Sequence, residues 1–160
     1  MKAIEYSKTE QKLIEVRTYG SGDDFWCAVV HDYNKNLLIL KCIDSKGLPN
    51  GYVIEKKENI ESIDIDNKYC KSLQSNYDII DTSIFNISLI LNPDDNIENI
   101  ISFFNNSLLE IGIGDNNYVI SCRILELKSK WLEIAPIEVN KVEDGRSFYR
   151  INDLNTIRVK

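Results

Sequence analysis

Few residues of this 160-residue chain have the types and the spacing that catalysis requires. The single histidine, His31, is followed directly by Asp32. Adjacent residues of a β-strand point to opposite faces, so these two side chains are not expected to form an acid–base pair. Serines occur without an oriented base that would activate them, and no G-x-G-x-x-G, phosphate-loop, H-E-x-x-H or G-x-S-x-G motif is present. We therefore predict a protein that is not an enzyme and that needs no cofactor.

Metal and redox sites are also not expected from the sequence. The cysteines are Cys27, Cys42, Cys70 and Cys122, and no two of them form a C-x-x-C pair. With one histidine in the chain, a zinc site would lack its usual paired ligands. Most of the cysteines lie in apolar runs, where a free thiol behaves as a small hydrophobic group. Three acidic pairs lie in turn segments, where carboxylates are usually solvated: Asp23-Asp24, Asp94-Asp95 and Glu143-Asp144.

The composition is that of a folded, water-soluble chain, with 43% hydrophobic and 28% charged residues. A formal net charge of -6 disfavours nucleic acid and anionic membranes as partners, because both attract an excess of lysine and arginine. No apolar run approaches the roughly 20 residues that span a bilayer. The chain becomes charged soon after its first residue, before a signal-peptide hydrophobic stretch can form. We expect a cytoplasmic protein without membrane association.

The elements that would position any site repeat along the chain. Residues 26–65 align with residues 120–159 without a gap, at a constant spacing of 94 positions. This spacing pairs Gly51 with Gly145, and it also pairs aliphatic residues, the basic position before the last turn and the Asn or Asp before Ile or Leu. We interpret the pattern as an internal duplication. The alternative is a single β-sandwich in which alternating strands resemble one another by coincidence.

Each copy reads as a meander of five short strands separated by turn residues. The predicted strands cover residues 13–18, 26–30, 37–43, 52–56 and 62–65, and then 108–113, 118–127, 131–139, 147–151 and 156–159. The nearly continuous apolar run at 37–43 predicts a strand that is buried on both sides or sharply bent. Asn50-Gly51 is the strongest turn signal in the segment 45–51.

Between the two copies the periodicity becomes helical. Asp66-Asn67 can cap a helix that carries Tyr69 and Leu73, and residues 78–91 are either a strand or a covered linker. Asp95 precedes an amphipathic helix from Ile97 to Phe104, whereas a helix within residues 2–11 is weak or absent by its pattern. We therefore predict a first barrel at 1–66, a helical or extended connector at 67–94, and a helix with a second barrel at 95–160.

A short helix followed by five short strands, as predicted for residues 95–159, resembles the Sm-like fold. The chain is also similar to short bacterial proteins of unassigned function with a bent apolar strand, a long turn ending in glycine, a strand and then Ile-x-x-Ile. This resemblance implies a mainly β protein with short helices, built from two tandem small Sm-like barrels of five antiparallel strands each.

Sm-like proteins that bind RNA carry D-x-x-x-N between their second and third strands, and Asp32 and Asn36 have that spacing. The family places an aromatic residue or histidine two positions after the aspartate, to stack on a base. Here Asn34 stands there, and Tyr33 comes one position early. The family's Arg-Gly or Lys-Gly signature is replaced by residues 63–65, Ile-Asp-Ile. The resemblance thus implies an incomplete RNA pocket, and turn formation explains Asp32 and Asn36 equally well.

Aromatic residues supply the remaining candidate contacts. Phe148 and Tyr149 are consecutive on a strand, so one of them must face outward unless that face is covered, and Tyr52 could share this role in the first copy. The candidate binding residues are therefore Asp32, Tyr33, Asn36, Tyr52 and Tyr149. Small barrels also have open edges that accept a partner's strand.

We hypothesise a non-enzymatic cytoplasmic binding or assembly module whose partner is another protein or a second copy of itself. An RNA-binding Sm-like protein and an immunity or antitoxin-like protein are the alternatives.

Overall fold

A computed structural model describes residues 2–160, and all ten of its strands belong to one antiparallel sheet. The prediction of a mainly β chain with short helices is confirmed. The strands are β1 (Ile14–Thr18), β2 (Trp26–Tyr33), β3 (Leu37–Ile43), β4 (Pro49–Lys56), β5 (Ile60–Ile65), β6 (Leu108–Ile113), β7 (Tyr118–Lys128), β8 (Trp131–Pro136), β9 (Ser147–Arg150) and β10 (Leu154–Val159). Their order across the sheet is β5-β1-β2-β3-β4-β10-β6-β7-β8-β9.

This order contains the same arrangement twice. We call β1–β5 the first half and β6–β10 the second half, and in each the fifth strand pairs with the first, followed by the second, third and fourth. The halves meet where β4 pairs with β10, which we call the junction. The fourth strand of one half therefore lies beside the fifth strand of the other.

The 94-residue spacing also appears in the backbone geometry. The pairing of β2 with β3 shifts register between Val30 and Asp32, and the pairing of β7 with β8 shifts between Ile124 and Glu126. A 3₁₀ turn follows β4 at 57–59 and another follows β9 at 151–153. The sharp bends of the two halves therefore fall at corresponding positions.

The helix at the start of the chain contradicts the expectation that it would be weak or absent. Helix α1 (Lys2–Glu10) buries Ile4 and Ser7 against the sheet. The Ser7 hydroxyl accepts a hydrogen bond from the Val30 amide at 3.0 Å and donates one to the Lys12 carbonyl at 2.7 Å. These contacts hold a short helix that has little apolar periodicity of its own, which is why its sequence did not predict it.

The helices between the halves agree better with the sequence. Helix α2 (Lys68–Tyr77) begins after Asn67, whose side chain accepts a hydrogen bond from the Cys70 amide, as the capping prediction required. Residues 78–91 contain a 3₁₀ turn at Thr82–Phe85 and no strand, so they form a linker, but Phe85 is its only buried residue and most of the segment is exposed. Helix α3 (Ile97–Ile101) is capped by Asn96 and continues as a 3₁₀ turn, Ser102–Phe104.

Two predicted strand and turn positions require correction. The chain reverses between β3 and β4 at residues 44–48, because the Asp44 carboxylate accepts hydrogen bonds from the amides of Lys46 and Leu48. The Asn50-Gly51 turn prediction is therefore wrong, and Gly51 lies inside β4 with φ +74°. A Cβ at Gly51 would overlap the carbonyl oxygen of Val159 in β10. The predicted strand 131–139 ends earlier, at Pro136.

The core occupies both faces of the first half but only one face of the second. We call inner the face that carries Leu38 and Leu40, or Leu132 and Ile134, and outer the opposite face. Helix α1 covers the inner face of the first half, and α2 with Phe85 covers part of its outer face. At the junction the outer face of the first half continues into the inner face of the second half, and α3 packs there.

Within residues 2–160, no helix has the length and apolar character that crossing a bilayer requires.

Candidate functional site

The structure brings Asp32, Tyr33 and Asn36 together at the turn between β2 and β3, where the side-chain polar atoms of Asp32 and Asn36 have partners. The Asp32 carboxylate accepts hydrogen bonds from the Lys8 ammonium at 2.7 Å and from the Leu91 amide at 3.0 Å. The Asn36 amide group donates to the Asp95 carbonyl at 3.0 Å. These two side chains therefore fasten α1 and residues 91–95 to the turn.

The turn itself is built by Asn34, which the sequence analysis did not select. Its side-chain oxygen accepts hydrogen bonds from the amides of Asn36 and Leu37, both at 2.8 Å. Its side-chain nitrogen donates to the carbonyls of Asn92 and Asp95, both at 2.8 Å. An asparagine two positions before the turn's end was the available signal, because such side chains commonly bond the backbone ahead of them.

Tyr33 is held between two ammonium groups, with Lys8 at 5.4 Å and Lys57 at 4.7 Å from its ring centroid. A cavity of about 300 Å³ nearby is lined in part by Lys35, Lys56 and Lys57. Burial lowers the pKa of both Lys56 and Lys57. Glu58 and Glu98 also line the cavity, so its three lysines outnumber its acidic residues by only one.

The remaining two predicted residues lie elsewhere in the sheet. Tyr52 is 9% exposed, and burial raises its pKa, so the expectation that it shares an exposed role is wrong. Tyr149 packs against the core of the second half, whereas its neighbour Phe148 is 58% exposed. Tyr52 faces the core because it stands on the outer face at the junction, which residues of the other half cover. The five predicted residues therefore do not form a single site.

The strands at the two ends of the sheet each have one edge without a neighbouring strand. Among the described strands, β5 pairs only with β1 and β9 pairs only with β8, so each presents one free edge. The β5 edge carries the exposed residues Glu61, Asp64 and Ile65. At the other end, Arg146 directly precedes β9 and Arg150 is its last residue, and both are exposed. The free edges therefore have opposite charges.

The junction shows how such edges pair within one molecule. In its antiparallel register Ile157 stands opposite Ile54 and Thr156 stands opposite Glu55. The Thr156 hydroxyl lies 2.8 Å from one carboxylate oxygen of Glu55. Burial raises the pKa of Glu55 to about 7, although hydrogen bonds from Asn59 and Thr156 oppose the shift. With a pKa of about 7 the carboxyl group is partly protonated at neutral pH, and its protonated form can both donate and accept a hydrogen bond across this junction.

Arg158, also on β10, connects the junction to the β2 strand. Its guanidinium lies 5.2 Å from the Trp26 ring centroid and 3.3 Å from a carboxylate oxygen of Glu110. Its Nε atom is buried without a hydrogen-bond partner among the described residues. The junction is therefore held by apolar packing and by charged groups that reach across from the second half.

The part of the chain that the structure describes, residues 2–160, contains no cluster of metal-binding side chains. No group of three or more His, Cys, Asp or Glu side chains lies there in a position to hold an ion. All four cysteines are free and buried, as predicted. Comparison of the chain with protein-family models, with curated proteins and with solved structures finds no significant match.

Proposed function

We propose that this protein is a non-enzymatic assembly module, built from two Sm-like barrels that arose by internal duplication, and that it associates head to tail with further copies of itself. In this association the free edge of β9 pairs with the free edge of β5 of the next molecule. The observation that supports the proposal is the junction, where the fourth strand of one half already pairs with the fifth strand of the other. The same two strand positions are the ones left open at the ends of the sheet.

Because residues 94 positions apart are equivalent in the two halves, the register of β4 with β10 at the junction predicts how β9 would pair with β5 of the next molecule. The pairing of Ile54 with Ile157 predicts that Phe148 stands opposite Ile63 of the next molecule. The same register places Arg150 opposite Glu61. Oppositely charged and apolar cross-strand pairs each favour association by about 0.2–1 kcal/mol, so both pairs support this register.

Exposed apolar side chains in the second half also support the proposal. At the junction Leu37 and Ile54 are fully buried, with 0% exposure. Their counterparts 94 residues further along are Trp131 and Phe148, which are 41% and 58% exposed. An incoming molecule bound in the register of the junction would cover both. In the association, the outer face of the second half would be buried by the next molecule, as the outer face of the first half is buried within one molecule.

Gly145 fits the same scheme. It has φ +66°, and nothing lies within 4 Å of the position a Cβ would take there. Its counterpart Gly51 has φ +74° and is closely approached by the Val159 carbonyl oxygen. In the proposed association the carbonyl of Ile65 from the next molecule occupies the corresponding place beside Gly145. Because the two contacting surfaces differ, the association is heterologous, and it ends in a closed ring or continues as a filament.

Sedimentation over a wide range of protein concentrations tests this proposal. The unaltered protein is expected to form species larger than a monomer, and Arg150→Glu is expected to weaken the association about tenfold by placing like charges opposite each other. Glu61→Arg should weaken it similarly, whereas the double variant restores the opposite charges and the association. Lys46→Glu, which changes an exposed charge in the turn between β3 and β4, is the matched control. A protein that stays monomeric at every concentration would refute the proposal, and so would a double variant no better than either single one.

The lysine-lined cavity favours a second candidate function, RNA binding of the Sm-like kind. Lys35, Lys56 and Lys57 supply positive charge there, but Asp32 and Asn36 are engaged in fastening residues 91–95. Binding of a single-stranded RNA that weakens steeply with salt and is abolished by Lys35→Glu would favour this function. Absence of binding at low salt would exclude it.

A further inference from the structure

Two of the four buried cysteines form a pair. The Sγ atoms of Cys27 in β2 and Cys70 in α2 lie 3.8 Å apart, close enough for a thiol–thiol hydrogen bond. Across residues 2–160, no other two cysteine sulfurs approach as closely; Cys42 instead lies near the Leu40 carbonyl, and Cys122 is enclosed in the core of the second half. The pair lies between the first half of the sheet and the helix that covers its outer face.

The two thiols differ in their surroundings. Cys70 lies in the first turn of α2, where the positive end of the helix dipole favours a negative charge. The hydrogen bond from the Cys27 thiol lowers the pKa of Cys70, and the same contact raises that of Cys27. Cys70 is therefore the more nucleophilic sulfur, with Cys27 next to it as the resolving thiol.

A small molecule can reach Cys27, whose Sγ lies 3.8 Å from that of Cys70, through an open cleft of about 580 Å³. Its lining includes Cys27, together with Phe25, Trp26 and Tyr69. Cys27 is only 5% exposed, and Cys70, which does not line the cleft, only 2%, so the cleft admits a small oxidant to Cys27 and to the sulfur beside it but keeps large reagents away. Access and geometry together select an oxidant of the size of hydrogen peroxide.

We propose that Cys27 and Cys70 are a site of reversible oxidation, at which hydrogen peroxide converts the two thiols into a disulfide that joins α2 to β2. The Cys70 thiolate attacks one peroxide oxygen, an S–O bond forms, the O–O bond breaks, and the departing hydroxide takes up a proton to give water. The Cys27 thiol then attacks the sulfenic sulfur of Cys70. The S–S bond forms as the S–O bond breaks, and the hydroxide leaves as water with the proton of Cys27. Two thiols are oxidised, and one peroxide is reduced to two waters.

The disulfide would join residues that are 43 positions apart along the chain. Such a crosslink restricts the unfolded chain and so stabilises the folded one. It would act on the first half alone, because Cys122 is the only cysteine of the second half. Oxidation would therefore fix α2 over the outer face of the first half.

The test uses the full chain, reduced and then treated with hydrogen peroxide. The intact mass should fall by two hydrogen atoms, peptide mapping should find Cys27 linked to Cys70, and the unfolding temperature should rise by several degrees and return on reduction. Cys27→Ser should gain one oxygen atom on Cys70, seen in the intact mass and located by peptide mapping, whereas Cys122→Ser, the matched control, should behave as the unaltered protein. The proposal is overturned if the mapped link contains Cys42 or Cys122. It is equally overturned if the folded protein keeps four free thiols under conditions that oxidise the urea-unfolded chain.

Discussion

The two halves of the sheet share their strand order and register but differ in what covers their outer faces. In the first half, α2, Phe85 and the residues that follow bury the outer face, and Leu37 and Ile54 are fully enclosed. In the second half Trp131 and Phe148 stand at the corresponding positions and remain exposed. The two halves therefore share one backbone arrangement, but the outer face of the first half is buried within the chain and that of the second half is exposed to solvent.

This difference shows that strand order and burial are set by separate parts of the sequence. Period-two alternation and turn residues specify the strands of each half. The outer face of the first half is covered by α2 and Phe85 from the connector, residues 67–94, and, around Leu37 and Ile54, by α3 and the core of the second half. Matched substitutions at positions 94 residues apart therefore separate what the strands contribute from what their cover contributes.

The largest expected difference is between Ile54→Ala and Phe148→Ala. Ile54 is 0% exposed and packs at the junction, so its truncation should lower the free energy of unfolding by about 3 kcal/mol. Phe148 is 58% exposed, and its truncation should change it by less than about 1 kcal/mol. Urea denaturation of both variants, at concentrations where the protein is monomeric, measures this. Equal losses would mean that the outer faces do not differ in burial.

A pH difference of similar size is expected from Glu55, which the second half replaces with Tyr149. The folded-state pKa of about 7 lies above the ordinary value of 4.5, so the stability from the protonated carboxyl is fully present below pH 4.5 and is lost as the pH rises through 7. This loss amounts to about 3 kcal/mol. Glu55→Gln keeps a neutral side chain and should be more stable than the unaltered protein at pH 8.

Denaturation of Glu55→Gln across pH 4 to 8 checks this expectation, with Tyr149→Phe as the control at the matched position. The control should follow the pH profile of the unaltered protein. Parallel profiles for Glu55→Gln and the unaltered protein would show that the pKa of Glu55 is the same in the folded and the unfolded chain, which contradicts the expected shift.

The two glycines should differ by a smaller amount. Gly51→Ala places a methyl group against the Val159 carbonyl in addition to the cost of a positive φ, and should destabilise the fold by about 2–3 kcal/mol. Gly145→Ala meets only the cost of its φ, about 1 kcal/mol. Thermal unfolding compares the two. If Gly145→Ala leaves the monomer intact but reduces self-association, the two glycines have the same role in different contacts.

The smallest expected difference concerns the turn after the second strand. Asp32→Ala removes the acceptor of two hydrogen bonds, from Lys8 and the Leu91 amide, and should cost about 1–2 kcal/mol. Glu126→Ala, at the matched position on an exposed side chain, should stay within about 0.5 kcal/mol. Hydrogen exchange at the Leu91 amide gives a local measure. Unchanged protection there would show that Asp32 does not hold the connector.

Much of the strand pattern was readable because its signals are local. The strand Leu108–Ile113 has the predicted bounds, and α2 begins where Asn67 predicted it. Helix α1 was missed because it is held by contacts distant in sequence, such as the hydrogen bond from the Val30 amide of β2 to Ser7. Tyr52 was expected to be exposed, since nothing near it in sequence shows that it lies at the junction.

The sequence by itself determined the strands, the turn chemistry around residue 34 and the 94-residue spacing of two similar halves. These follow from side-chain alternation and from residues that bond their own backbone, which act within a few positions of the chain. Only the tertiary structure decided that both halves form one sheet with two free edges of opposite charge. That outcome depends on pairs such as Glu55 and Thr156, which are 101 positions apart, and local patterns carry no signal over that distance.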